Sequence, residues 1–224
     1  MPVYQLTDQL IFPHPKLAQD GLLAIGGDLS VKRLLLAYAN GIFPWFDEES
    51  PILWHALDPR MVLYPDKLRV TNSLKQSVRN RHTEIAFDEN FDKVIAHCAE
   101  VERNGQSGTW INSQMIEAYN ELHRQGFAHS VETYYKGTLV GGLYGVSLGR
   151  IFCGESMFHF RRDASKVALY HLVEKLKSWD FDLIDAQQET PHMRRMGAEL
   201  MPLEEYLTIL KKSLKQPTIR GKWC

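Results

Sequence analysis

A chain of 224 residues, 44% hydrophobic and 24% charged with a formal net charge of −1, has an ordinary globular composition, with room for one large domain or one domain and a small appendage. No apolar run reaches the roughly 18 residues of a membrane span, and the opening MPVYQLTDQL lacks a basic stretch followed by an apolar one, so neither a membrane protein nor a secreted one is expected. Cys98, Cys153 and Cys224 are odd in number and far apart; they fit neither a disulfide framework nor a zinc spacing, and a reducing cytoplasm is the simplest home for them.

The first sixty residues, dense in Gly, Pro and aromatics, are expected to form a small N-terminal domain, residues 1–60. Its clearest helix has Ser30 as N-cap, Leu34, Leu35 and Tyr38 on one face, and Gly41 as its stop. The stretch Gly41-Ile42-Phe43-Pro44-Trp45-Phe46 cannot be helical through Pro44 and reads as a rigid aromatic loop.

From about Arg60 helices and strands alternate, and residues 61–224 are expected to form the second domain. The pattern predicts a helix near Asn72–Arg81, a strand at Glu84–Phe87, and helices near Phe91–Val101 and Ser113–Arg124. Period-2 strands follow at Ser130–Tyr135, Thr138–Ser147 and Arg150–Phe158, turning at Lys136-Gly137 and Leu148-Gly149. A long helix at Ala164–Trp179, a short strand at Phe181–Asp185 and a helix near Leu203–Leu214 complete the series. The fold class is therefore α+β. Meander, helix, then strand is also the element order of GNAT-type acyltransferases, whose sheet is mixed but mostly antiparallel. The usual CoA-pyrophosphate signature of that fold is absent, since its nearest match, Arg194 to Glu199, does not open the long helix.

Charge is segregated along the chain. Arg60, Lys67, Arg69, Lys75, Arg79 and Arg81 meet a single acid, Asp66, and the tail carries Lys211, Lys212, Lys215, Arg220 and Lys222 with no acid. Acids gather elsewhere, as at Asp47, Glu48 and Glu49. Such a pattern can present a basic face to phosphates, although scattered solvated cations give the same count. Lys75, Arg79 and Arg81 are the candidate phosphate contacts.

Four ordered stretches carry a resemblance. The first is Gly21 to Ser30 (GLLAIGGDLS) with Tyr38 to Phe46 (YANGIFPWF); the second is Pro51 to Trp54 with Asp58-Pro59-Arg60. The third is Gly108-Thr109-Trp110-Ile111, and the fourth is Phe152 to Phe158 (FCGESMF) with Ala164-Ser165-Lys166 and Ile184-Asp185-Ala186-Gln187. Together they resemble the leucyl/phenylalanyl-tRNA–protein transferases from about residue 5 to residue 205. The family's aromatic-Ser-Pro after the second tryptophan is His55-Ala56-Leu57 here, and Gln188-Glu189-Thr190-Pro191 is locally unusual.

The resemblance implies a small N-terminal domain on a GNAT-like domain. It also implies transfer of leucine or phenylalanine, and less readily methionine, from Leu-tRNA or Phe-tRNA to an N-terminal Arg or Lys of a protein, marking that protein for degradation. No metal and no cofactor would take part, and the chain would act as a cytoplasmic monomer. By the same likeness Asp185 holds Gln187, and the pair orients the attacking amine or relays its proton. Strand alternation puts their side chains on one face. Glu155 is the third polar member, placed to anchor the donor's α-ammonium or its terminal adenosine. Met157, two residues on, shares the face of Glu155; with Leu169, Leu172 and Leu176 of the long helix and Ile184 it is expected to form a deformable donor pocket. Core packing would explain the leucines as readily. Trp45 and Trp110 are candidates to stack on the terminal adenine, and Tyr38 to line the same wall. Three rivals stay open: an acetyl-CoA-dependent acetyltransferase, an RNA-binding module, and a leucyl transferase acting on acidic N-termini.

Overall fold

The computed structural model of the chain describes residues 3–101 and 110–224, so Gly108 and Thr109 of the third stretch lie outside the described residues. In chain order come β1 (Tyr4–Leu6), β2 (Leu22–Gly26), α1 (Val31–Ala39), β3 (Phe43–Pro44), β4 (Leu53–His55) and β5 (Arg60–Leu63). Then follow α2 (Asn72–Val78), β6 (Thr83–Phe87), α3 (Phe91–Glu100), α4 (Ser113–Arg124), β7 (Ala128–Tyr135), β8 (Thr138–Leu148) and β9 (Ile151–His159). The chain ends with α5 (Ala164–Ser178), β10 (Leu183–Gln187), α6 (Pro191–Met196), β11 (Glu199–Met201) and α7 (Leu203–Ser213). No helix among the described residues is long and apolar enough to cross a membrane.

β1, β2, β4 and β3 form one sheet in that order. Its neighbouring helix α1 begins as expected, the Ser30 hydroxyl accepting the N–H of Arg33 at 3.4 Å. Gly41 turns the chain away with φ 72°, a left-handed conformation in which a side chain would also strike Leu207 and Tyr206. Phe43-Pro44 is a two-residue edge strand paired with Trp54 and His55 rather than a free loop. The edge tolerates proline because its missing donor faces no partner strand.

The larger sheet runs β11-β5-β10-β9-β8-β7-β6. Only β9 and β10 pair in parallel; the other pairings are antiparallel, giving the mixed, mostly antiparallel sheet expected. β5, Arg-Met-Val-Leu, is buried throughout and so lacks the alternation by which a strand is read from sequence. One apolar cluster joins Leu34, Tyr38 and Trp54 to Val94, Tyr119, Tyr144 and Tyr206. A second packs α5 through Val167, Leu172 and Leu176 onto Phe152, Ile184 and Trp223.

Two irregularities shape the middle of this sheet. Between β8 and β9 the register passes from Tyr144↔Ser156 to Gly145↔Gly154, leaving Glu155 as the extra residue of a bulge. Gly145 permits this close approach, since a Cβ there would lie 2.2 Å from the Cys153 carbonyl oxygen. Between β10 and β5 the register passes from Asp185↔Val62 to Gln187↔Met61, leaving Ala186 as the extra residue. The parallel pairing of β9 with β10 ends at Asp185↔Cys153. Past that point the two strands diverge, each just beyond or at its own bulge.

Candidate active site

A cavity of about 410 Å³ opens where β9 and β10 part. Of the residues singled out in the sequence, Trp45, Trp110, Glu155, Met157, Leu169, Leu172, Ile184 and Gln187 line it. Phe43, Leu57, Leu143, Phe152, His159 and His192 line it too, though no role in the site was expected of them. Tyr38, Leu176 and Asp185 are not on its wall. Leu176 is wholly buried in the packing between α5 and the sheet. Leu169 and Leu172 reach the cavity because, three residues apart, they share a helix face with Ser165.

Asp185 and Gln187 do not share a face. The bulge at Ala186 and a positive φ of 50° at Gln187 break the alternation. Gln187 therefore turns to the cavity while Asp185, with no exposed surface, points into the protein. There the guanidinium of Arg60 donates to both carboxylate oxygens, Nε to Oδ1 at 2.8 Å and a terminal nitrogen to Oδ2 at 2.7 Å. The Tyr206 hydroxyl donates to Oδ2 at 2.7 Å, and the backbone N–H of Gln187 donates to Oδ1 at 2.9 Å. Asp185 thus fixes the bulge from beneath. Arg60, counted among the basic surface residues from sequence, is 1% exposed and serves as this buried partner. It also donates to the Gly41 carbonyl at 3.2 Å and lies over the rings of Phe43 and Tyr206.

Glu155 is the acid that meets the cavity. The Gln187 amide donates to its Oε1 at 3.1 Å, and the Tyr119 hydroxyl to its Oε2 at 3.2 Å. Behind Tyr119 lies Tyr38, their two hydroxyls sharing a hydrogen bond. Tyr38 is therefore part of a buried phenol pair supporting Glu155, not a wall of the pocket. Desolvation pushes the Glu155 carboxyl up to about 7, against the lowering effect of the Tyr38 and Tyr119 hydrogen bonds and with help from the nearby Asp185 charge. Sequence reasoning missed Tyr119 and Tyr206 because each sits on the apolar stripe of an amphipathic helix and looks like core.

The aromatic end has its own support. The His55 ring packs edge-on to Trp45 at 5.4 Å, and burial lowers its pKa to about 4, so it is a neutral prop. The Gly26-Gly27-Asp28 stretch is scaffolding: Trp54 donates to the Gly26 carbonyl at 2.9 Å, and buried Arg33 donates to Asp28 at 3.0 Å. The basic runs divide. Lys75, Arg79 and Arg81 are exposed, whereas Lys67 pairs with Glu199 at 2.7 Å. In the tail, Lys222 pairs with Glu89 at 2.8 Å and Arg220 lies over the Phe127 ring. The candidate CoA loop closes a helix rather than opening one, since Gly197, with φ 103°, is the C-cap of α6.

An apolar hollow with a carboxyl and an amide at one end has the chemistry to receive an apolar group beside an amine. A lining of this kind suits an acyltransferase. Comparison with known proteins gives the family. A family described as "Leucyl/phenylalanyl-tRNA protein transferase" matches residues 62–211, and its N-terminal domain matches residues 27–58. The chain is 54% identical over 225 residues to the leucyl/phenylalanyl-tRNA–protein transferase of Maridesulfovibrio salexigens, covering all of this chain and 94% of that one. To the Myxococcus xanthus protein of the same name it is 52% identical, covering all of this chain and 97% of that one. Among solved structures it is similar to a ribosomal-protein-alanine N-acetyltransferase from Brucella melitensis, with 14% identity and a TM-score of 0.37 over 51% of this chain and 87% of that one. The chain belongs to the leucyl/phenylalanyl-tRNA–protein transferase family.

Proposed function

We propose that the chain transfers leucine or phenylalanine, and less readily methionine, from aminoacyl-tRNA to the N-terminal Arg or Lys of acceptor proteins, marking them for degradation. The observation that carries this reading is the cavity itself: Met157, Leu169, Leu172 and Ile184 wall an apolar hollow that ends at Glu155 and Gln187. The acyl side chain lies against the apolar wall. Trp45 and Trp110 stack on the terminal adenine. The acceptor's α-amine attacks the ester carbonyl carbon; the new C–N bond forms as the bond to the ribose oxygen breaks. The amine's proton leaves towards Glu155 and returns to the departing ribose hydroxyl. About a tenth of an α-amine of pKa about 8 is already neutral at pH 7, so deprotonation costs only about 1.4 kcal/mol. Positioning and charge stabilisation then supply most of the acceleration. Asp185 acts through Gln187 as a positioning residue. In this reading residues 1–60 are the small domain that brings Trp45 to a catalytic domain of residues 61–224, and the protein works as a cytoplasmic monomer.

The test is transfer from purified Leu-, Phe- and Ile-tRNA to peptides that differ only in the first residue. Leu and Phe should transfer to Arg- and Lys-initiated peptides. Transfer to Asp- or Glu-initiated peptides alone, or turnover of acetyl-CoA without any aminoacyl transfer, would overturn the reading.

Met157→Ala should change the ratio of phenylalanine to leucine transfer by a few-fold to about a hundredfold, the range for remodelling an apolar pocket. Competition between the two charged tRNAs measures it. An unchanged ratio in a folded variant would make Met157 a packing residue only.

Replacing exposed Lys75, Arg79 and Arg81 together by alanine should weaken every tRNA donor alike. It should also flatten the plot of log affinity against log salt by roughly 0.7–0.9 for each phosphate no longer neutralised. An unchanged slope would take α2 and its following turn out of the interface.

A further inference from the structure

A second hollow, of about 710 Å³, lies beside the reaction cavity, between α2 and the turn that joins β9 to α5. We propose that this groove holds single-stranded RNA, namely the nucleotides that precede the donor's terminal adenosine. The inference rests on the transfer reading above and adds a binding surface to it.

The groove is next to the chemistry. Met157 and His159 of β9 line the reaction cavity, and Phe160, Arg161 and Arg162 directly after them line the groove. Met157 and Phe160 are three extended residues apart, about 10 Å. On α5, Ser165 meets the cavity and Ala164 meets the groove. One strand end and one helical turn therefore separate the two hollows, a step that a continuous nucleotide chain can cross.

The lining has the two elements that non-specific single-strand binding requires, cations for the backbone and flat faces for bases. Arg161 lies over the Tyr135 ring at 3.7 Å, and Phe160 is 59% exposed, its ring packed edge-on to His97 at 5.0 Å and tilted against Phe158 at 5.2 Å. The backbone N–H groups of Phe160 and Arg161 both reach the Val140 carbonyl, at 2.7 and 3.3 Å, so this platform is held in place. Arg162 has an 88% exposed side chain whose Nε lies 3.7 Å from the Asp163 carboxylate. The groove's carboxylate, Asp163, pairs with Lys166 at 2.6 Å and with Arg162 at 3.7 Å, and against it stand Arg161, Arg162 and Lys166, so the balance of charge is positive. The opposite wall presents the amide of Gln76 and the hydroxyl of Ser77 on α2, the helix that carries Lys75. A peptide beginning with Arg or Lys would bring like charge into this groove, whereas an RNA strand brings the opposite one.

Phe160→Ser and Arg162→Ala change exposed side chains, and thermal melts check that each variant folds. Leucyl transfer is measured with each variant from two donors, full Leu-tRNA and leucyl-adenosine, the latter ending at the adenosine. Phe160→Ser should raise KM for Leu-tRNA about five- to a hundredfold, the loss of one stacked base. Arg162→Ala should lower the salt slope by about 0.7, one single-strand phosphate contact. Neither variant should change transfer from leucyl-adenosine by more than about twofold, and anisotropy of a labelled single-stranded hexaribonucleotide should show weakened binding by both. Equal loss from both donors, an unchanged KM for Leu-tRNA, or a change confined to the KM of the acceptor peptide would overturn the groove alone. Wild-type protein that transferred leucine from neither donor would instead overturn the transfer reading, and the groove with it.

Discussion

Replacing Arg60 by alanine should cost about 3–5 kcal/mol of folding stability, because it leaves the Asp185 carboxylate buried and without its cation. Denaturant melts of the purified variant measure that loss. The pair also explains what Asp185 can do in the reaction. Its oxygens are occupied by Arg60, Tyr206 and the Gln187 backbone, and its side chain does not reach the cavity. Asp185→Asn should therefore retain part of the single-turnover transfer to an Arg-initiated peptide. The remaining rate should climb between pH 6 and 9 as solvent deprotonates the amine. A general base in direct contact would instead show a loss of about 10²–10⁴. Gln187→Ala should add less than its own cost once Asp185 is changed, since one acts through the other. A double replacement by apolar residues, Arg60→Met with Asp185→Leu, should recover stability without recovering transfer. Near-wild-type rates in folded Asp185→Asn and Gln187→Ala proteins would remove both from the mechanism.

The regular elements were legible because their periods are clean. α4 and α5 follow helical spacing, and β7, β8 and β9 alternate around glycine turns. Strand β5 was not legible, since a strand buried on both faces reads as a plain apolar run. The polar trio was visible only through resemblance; nothing in the local pattern of Glu155 or Gln187 separates them from strand-end polar residues. The bulges were invisible for a physical reason. A bulge is a property of the pairing of two strands, and sequence alternation describes one strand at a time. That is why Asp185 and Gln187 were expected on one face and stand on two. Arg60 was hidden for a similar reason: its burial depends on an acid 125 residues away, while its neighbours in sequence are exposed cations such as Lys75 and Arg79.

Glu155→Gln should have opposite effects on stability and on activity. Folding raises the Glu155 carboxyl from its ordinary 4.5 to about 7 by desolvation. A raised acid favours the protonated form in the folded state, so its contribution is complete below about pH 4.5 and is lost as pH climbs through about 7. The wild-type protein should give up about 3 kcal/mol from this group by pH 8. The glutamine variant carries no such charge. It should match wild type near pH 4.5 and melt several degrees higher at pH 8. Activity should move the other way. Glu155 is the acid that meets the cavity, hydrogen-bonded to Gln187 at 3.1 Å, and its carboxylate is placed to receive the amine's proton. Wild-type single-turnover transfer should therefore rise with an inflection near pH 7. Glu155→Gln should lose about 10²–10⁴ of that rate and keep only the inflection of the acceptor amine near pH 8. Tyr119→Phe supplies an independent check. The Tyr119 phenol stabilises the carboxylate by donating to Oε2, so its removal should shift the wild-type inflection to higher pH while Glu155 stays in place. A pH profile identical in wild type, Tyr119→Phe and Glu155→Gln would show that Glu155 holds no proton of the reaction. The amine would then discharge its proton directly to water or to the ribose hydroxyl that it displaces.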